Sequence, residues 1–235
     1  MCIRDRIYTI EAAVTDVNNQ QVASRTDAIV HKGLFYIGLA PQAYVGKVGE
    51  EQKVDVITVD WDSQPVPDRD LTVVVYEHKW YSVWEEGEDG RFYWKSTVED
   101  TPVLTTTVTT DQEGKAVAAF TPEKGGVYKI AASGQDERGN EIRSSTYLWV
   151  SSYEFINWRR ENNDRIDLVT DKKSYEVGDT AQILIPSPYA GPVQALLTIE
   201  RGHIMEHRLL TLKTNSDLVE IPILPEYIPL SLIHI

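Results

Sequence analysis

The chain has 235 residues, with 23 Lys and Arg against 36 Asp and Glu, and a net charge of −13. That balance excludes a nucleic-acid partner, because neutralising phosphates needs clustered Lys and Arg; it serves instead to keep an elongated chain soluble. No apolar run approaches the roughly 20 residues needed to span a bilayer, so no membrane contact is expected from this segment.

The two ends follow no pattern of the chain between them. Residues 1–6 (MCIRDR) and 230–235 (LSLIHI) resemble translated sequencing-adapter sequence, and both are set aside. The only cysteine, Cys2, falls in the first of them. The remaining cysteine-free segment suits a bacterial surface protein and a cytoplasmic one equally. The N-terminus has no sustained apolar core of a signal peptide, and the natural start is expected to lie upstream.

In chain order, the first feature is one half of a repeat. Residues 8–30 lie over 128–150 without a gap, at a constant offset of 120. Tyr8/Tyr128, Ile10/Ile130, Ala12/Ala132, Asp16/Asp136, Ser24/Ser144, Thr26/Thr146 and Val30/Val150 are identical pairs. A repeat of this length marks a domain rather than a solenoid unit. A second echo sets Ile37, Leu39, Val48 and Gly49 over Ile166, Leu168, Val177 and Gly178, at an offset of 129. The first echo matches module ends and the second matches module beginnings. The nine-residue difference is a longer connection within 151–164. One whole module, 34–152, is therefore expected between the end of a predecessor, 7–33, and the front of a successor, 153–229.

Within the whole module, short alternating runs between turn residues predict strands throughout. A strand opens at 35–39 and stops at Pro41. Residues 53–60 are apolar on both faces, as suits a central strand. Residues 64–69 form a loop, and 71–83 and 91–98 form a long hairpin. Thr-rich 104–110 is a separate strand, followed by a turn at 111–114 and a strand at 116–120. Gly125 and Gly126 turn the chain toward Tyr128, whose ring enters the core while its hydroxyl bonds the preceding backbone, a sandwich-corner device. Strands 128–133 and 142–150 then flank a turn at 136–140. No segment has the length and period of a structural helix. The fold class is all-β, a row of antiparallel β-sandwiches of immunoglobulin or fibronectin type III kind with seven to eight strands each.

Three constellations invite a functional reading. His203, Glu206 and His207 spell H-x-x-E-H, a zinc-peptidase motif that requires a helix to bring both histidines to one ion. Here the flanking runs 195–200 and 208–213 predict strands, which hold residues four apart at roughly 13 Å. Trp80, Tyr81, Trp84, Phe92, Tyr93 and Trp94 crowd the long hairpin around the acidic tip 85–90. They form either a sugar-stacking platform with a weak Ca²⁺ site or cross-strand packing against a neighbouring module. Asp60, Asp62, Asp68 and Asp70 surround Pro65 and Pro67 and are expected to be a solvated acidic loop rather than a metal site. No catalytic, cofactor-binding or metal-ligating residue is assigned.

Residues 171–185 (DKKSYEVGDTAQILI), followed by Ser187, Pro188 and Tyr189 and by 195–201 (ALLTIER), resemble the opening of a macroglobulin domain in bacterial alpha-2-macroglobulins. Residues 220–229 (EIPILPEYIP) resemble a later strand of the same domain, and 44–49 (YVGKVG), 59–62 (VDWD) and Trp80 to Trp94 resemble the domain before it. The resemblance covers 7–229. It implies a non-enzymatic scaffold without cofactor, in a periplasmic or cell-surface inhibitor that traps proteases after cleavage of a bait. Its partners would be proteases, engaged through regions outside this segment, and neighbouring macroglobulin domains. The family's thioester motif C-x-E-Q is absent, and both it and the bait are expected downstream. The alternative is a surface adhesin or an array of carbohydrate-binding modules, resting on the aromatic hairpin. The segment 151–164 is expected to be a strap or hinge packed through Phe155, Ile156 and Trp158.

Overall fold

A computed structural model describes residues 6–163, 165–227 and 232–234. Cys2, Asp164 and most of the two set-aside ends lie outside the described residues. Among the described residues, strands β1 (Arg6–Thr15) and β2 (Gln21–Val30) pair only with each other, in an antiparallel hairpin. His31 follows it, stacked on Trp61 with ring centroids 5.6 Å apart.

Eight strands build the central module. They are β3 (Tyr36–Pro41), β4 (Val45–Lys47), β5 (Gln52–Val59), β6 (Asp70–Glu86), β7 (Phe92–Thr109), β8 (Lys115–Phe120), β9 (Gly126–Gln135) and β10 (Glu141–Ser151). One sheet has the order β4-β10-β9-β6-β7 and the other the order β3-β5-β8. All pairs are antiparallel except β4 with β10. Alternate residues of both sheets meet in one core, including Phe35, Val54, Val56, Leu71, Val73, Ile130 and Leu148. The chain is all-β, in small antiparallel sheets that stack as immunoglobulin-like layers; among the described residues the helical content is one 3₁₀ turn, Pro225–Tyr227.

Two expectations about these strands need correction. β5 is central in its sheet, but only Gln52, Val54, Val56 and Thr58 are buried, while Lys53, Asp55 and Ile57 face outward. One covered face is enough to give a sandwich strand its alternation. The Thr-rich run is not a separate strand: β7 continues from Phe92 to Thr109 and pairs along the whole of β6. Between the two runs lies a bulge, where Val75 and Tyr76 pair with Leu104 and Pro102 and leave Val103 over. Proline is tolerated there because β7 is an edge strand and the bulge removes the need for its missing N–H.

The Tyr128 corner forms as the sequence indicates. Its ring is 2% exposed and its hydroxyl donates to the Lys124 carbonyl at 2.9 Å. The repeat is also visible in the turns. Asp16 Oδ1 accepts the amides of Asn18 and Gln20, and Asp136 Oδ1 accepts those of Arg138 and Asn140. The same five-residue turn recurs at Asp60 and Asp111. In each, the fourth residue has a positive φ: Asn19, Ser63, Gly114 and Gly139. An Asp side chain that mimics a backbone acceptor, followed by a left-handed residue, closes a tight turn by local chemistry alone.

A third group of strands follows: β11 (Val169–Thr170), β12 (Thr180–Pro186), β13 (Val193–Glu200), β14 (Ile204–Leu212), β15 (Ser216–Pro222) and β16 (Leu232–His234). Two three-stranded sheets, β11-β12-β15 and β14-β13-β16, enclose a smaller core of Ala181, Ile183, Leu197, Ile199, Ile221 and Tyr227.

Candidate functional site at the junction of the modules

Between β10 and β11 the chain runs without regular structure, and this strap bonds to both the central and third modules. Its path alternates as an extended chain does. Ile156 is buried and Trp158 half-buried, while Phe155 is 55% exposed and does not join them. Phe155 was expected to pack; the two-residue period turns it outward. Asn215, 2% exposed, holds the strap from the third module. Its side chain accepts from the Ile156 amide at 3.0 Å and donates to the Ile156 carbonyl at 2.7 Å, and its own carbonyl accepts the Trp158 indole N–H at 2.6 Å. Ser216 Oγ accepts from the Ser152 amide at 3.0 Å and donates to its carbonyl at 2.7 Å. Outside the strap, the Tyr44 amide donates to the Asp171 carbonyl and Lys173 lies over the Tyr44 ring.

Further along, the strap lies against the β6–β7 hairpin. That hairpin outruns its sheet: β6 pairs with β9 only as far as His78, opposite Val127. Beyond this point it is a two-stranded ribbon, which is marginal without support. Asn162 Oδ1 accepts the Trp94 amide at 2.6 Å and its Nδ2 donates to the Trp94 carbonyl at 3.1 Å, as a neighbouring strand would. The Arg160 amide donates to Ser82 Oγ, and Ser96 Oγ donates to the Arg160 carbonyl. Arg159 sits over Trp80 at 5.1 Å and Arg160 over Trp94 at 4.6 Å, two cation–π contacts. Behind the strap is a cavity of about 1250 Å³, walled by His78, Trp80, Tyr147 and Trp149 on one side and by Pro186, Tyr189 and Leu196 on the other.

The aromatic set is thus divided. Trp80 and Trp94 meet the strap. Trp84 packs edge-on against Trp94 at 4.9 Å and stacks with Phe92 at 6.3 Å, and both Trp84 and Phe92 remain about half exposed. Tyr81 and Tyr93 face the opposite side of the ribbon, where the Tyr93 hydroxyl donates to Asp89 at 2.6 Å. That bond holds the Asp89 carboxyl below its ordinary range. At the ribbon's root, Asp100 takes His78 Nδ1 at 2.5 Å and Lys129 Nζ at 2.7 Å. Burial pushes the Asp100 carboxyl up, but these two donors outweigh it and the net shift is downward.

The other sequence candidates are engaged elsewhere. His207 lies on β14 opposite Thr198, and His203 sits in the turn before that strand. Glu206 is bonded to Arg208 and accepts the Tyr227 hydroxyl at 2.6 Å, and both bonds lower its pKa. Asp60 closes a turn, Asp68 accepts from Gln112, and Asp70 accepts from Thr109. Among the described residues no three His, Cys, Asp or Glu are grouped to hold a metal ion. Sequence reasoning passed over Asn162 and Asn215, since an Asn in an irregular segment looks like any turn residue.

The motif at 171–185 has a clear physical basis. Asp171 Oδ1 accepts the Tyr175 hydroxyl at 2.6 Å and the Gln182 amide at 2.8 Å, closing the entry to β12. Gly178 adopts φ +96° and donates to the Ile223 carbonyl. Ala181, Ile183 and Ile185 then point inward.

Residues 38–151 match the family model of bacterial macroglobulin domain 6, and 166–233 match that of the alpha-2-macroglobulin bait region domain. The bait was expected wholly downstream; the domain named for it already begins within this chain. An alpha-2-macroglobulin homolog of Nostoc sp. is 24% identical over 94% of this chain and 11% of its own length. An alpha-2-macroglobulin of Ralstonia nicotianae is 33% identical over 43% of this chain and 6% of its own length. The native conformation of Escherichia coli alpha-2-macroglobulin, seen by cryo-electron microscopy, has a TM-score of 0.49 at 18% identity, over 94% of this chain and 15% of that one. The chain thus spans about a tenth of the length of the relatives it matches. With two consecutive domain models of one family matched in order, the chain belongs to the bacterial alpha-2-macroglobulins.

Proposed function

We propose that this chain is a structural segment of a non-enzymatic, broad-spectrum endopeptidase inhibitor that traps proteases after bait cleavage. The observation that carries this reading is the succession of a macroglobulin domain 6 match and a bait-region domain match, in that order, along one chain. The central module, 34–152, supplies a rigid element of the shell. Residues 7–33 complete a preceding macroglobulin-like domain, and 153–229 open the following one. Modules with independent cores joined by modest contacts suit a shell whose parts shift when a bait is cut. Proteases are engaged through regions outside this segment, in the periplasm or at the cell surface, and no cofactor takes part.

The test is a trapping assay on the full-length protein. After incubation with a protease, activity on a small chromogenic peptide should persist while activity on a large protein substrate falls. A protease that cuts the bait and stays fully active on large substrates overturns the reading. The exposed Trp84–Phe92 stack favours one alternative, an adhesin or carbohydrate-binding array. That alternative requires polysaccharide affinity that Trp84→Ala abolishes.

A further inference from the structure

We propose that the strap is a two-sided clasp, coupling the β6–β7 ribbon of the central module to the third module so that the two open and close together. This stands on the geometry of the junction and does not depend on protease trapping. The ribbon beyond His78 has no third strand, so its order comes from whatever lies against it. What lies there is the strap, through Asn162 on the Trp94 backbone, Arg160 on Ser82 and Ser96, and two guanidinium groups over Trp80 and Trp94. A few residues earlier the same strap is anchored in the third module by Asn215, whose amide occupies both backbone polar groups of Ile156.

Each asparagine therefore plays the part of an absent strand, one on either side. Arg160 also reaches the Pro188 carbonyl of the third module, at 3.5 Å. The cavity behind the strap lies between Trp80 and Trp94 of the ribbon and Pro186, Tyr189 and Leu196 of the third module. If the Asn215 side chain lets go, the Ile156 amide and carbonyl lose that partner, and the five-residue span to Asn162 loses its fixed end. The ribbon then loses the surface that orders it. Energetic coupling of this kind is reciprocal, so weakening either end loosens the other.

Amide hydrogen exchange on the whole chain reads this directly, because local opening sets the exchange rate. Asn215→Ala should raise exchange in 80–86 and 92–98 by about tenfold or more, while core strands at 54–56 and 130–132 stay protected. Asn162→Ala should raise exchange at the Ile156 amide, which Asn162 does not touch. Changes confined to 152–158 and 213–217 in the first variant, or to the ribbon in the second, overturn the clasp. Should Asn215→Ala unfold the third module, seen as lost protection at 181–185, the exposed Asn162 still decides, through the Ile156 amide alone.

Discussion

Tyr8 and Tyr128 occupy the same position of the sequence repeat, yet in this 235-residue segment replacing each with Phe should have unequal consequences. Tyr128 is buried to 2% and its hydroxyl donates to the Lys124 carbonyl. Tyr128→Phe keeps the ring and removes one hydrogen bond, leaving a part-buried carbonyl without that donor. A net bond contributes about 1 kcal/mol and an orphaned buried acceptor costs about 1–3 kcal/mol, so the loss should be about 1–3 kcal/mol. Tyr8 is 48% exposed, and Tyr8→Phe should stay within about 0.5 kcal/mol. Urea unfolding of the whole chain, followed by tryptophan fluorescence, measures both. The Tyr128→Phe midpoint should fall by on the order of 1 M at unchanged slope, and the Tyr8→Phe midpoint should not move. Equal shifts in the two variants would refute the claim that the Tyr128 hydroxyl bond stabilises the central module. Burial also pushes the Tyr128 phenol up to about 12. Its contribution is full below the ordinary tyrosine value of 10 and is lost as pH rises from 10 towards 12, a decline that Tyr128→Phe should abolish.

Asp136 is held down to about 2, first by the Asn140 side chain and then, against some desolvation, by the amides of Asn140, Leu34 and Arg138. Its contribution is present above the ordinary value of 3.8 and is lost as pH falls towards 2; unfolding midpoints between pH 2 and 5 should show this acid limb, flattened in Asp136→Asn. Gly139→Ala should cost about 1–2 kcal/mol for its positive φ, in open space. Gly114→Ala in the matching turn should cost about 1–3 kcal/mol more, because its Cβ would lie 2.5 Å from the Thr58 carbonyl; thermal melting ranks the two. Leu148→Ala, at the centre of the larger core, should lose about 2–5 kcal/mol in the same urea assay.

Much of the architecture was legible because its causes are local. An Asp followed by a left-handed residue three positions on closes four tight turns, two of them hairpins, and each is visible in the sequence as D-x-x-[GNS]. Period-two alternation located the strands of the central module, and Gly125, Gly126 and Tyr128 marked its corner. The errors share a different cause. The runs 91–98 and 104–110 read as two strands, because alternation alone does not show that a bulge carries one strand through Pro102. Ile57 read as core, because apolar character does not say whether a second layer covers that face.

The junction was least legible. The strap was expected to pack, but its anchors are Asn162, bonded 68 positions away to Trp94, and Asn215, bonded 59 positions away to Ile156. No spacing rule connects such pairs. The sequence by itself determined the strands, the turns, the repeat and the family, since alternation and turn chemistry act over a few residues. The tertiary structure alone decided which side of β5 meets the core and what holds the strap, because burial and long-range bonding depend on the surface that arrives from elsewhere in the chain.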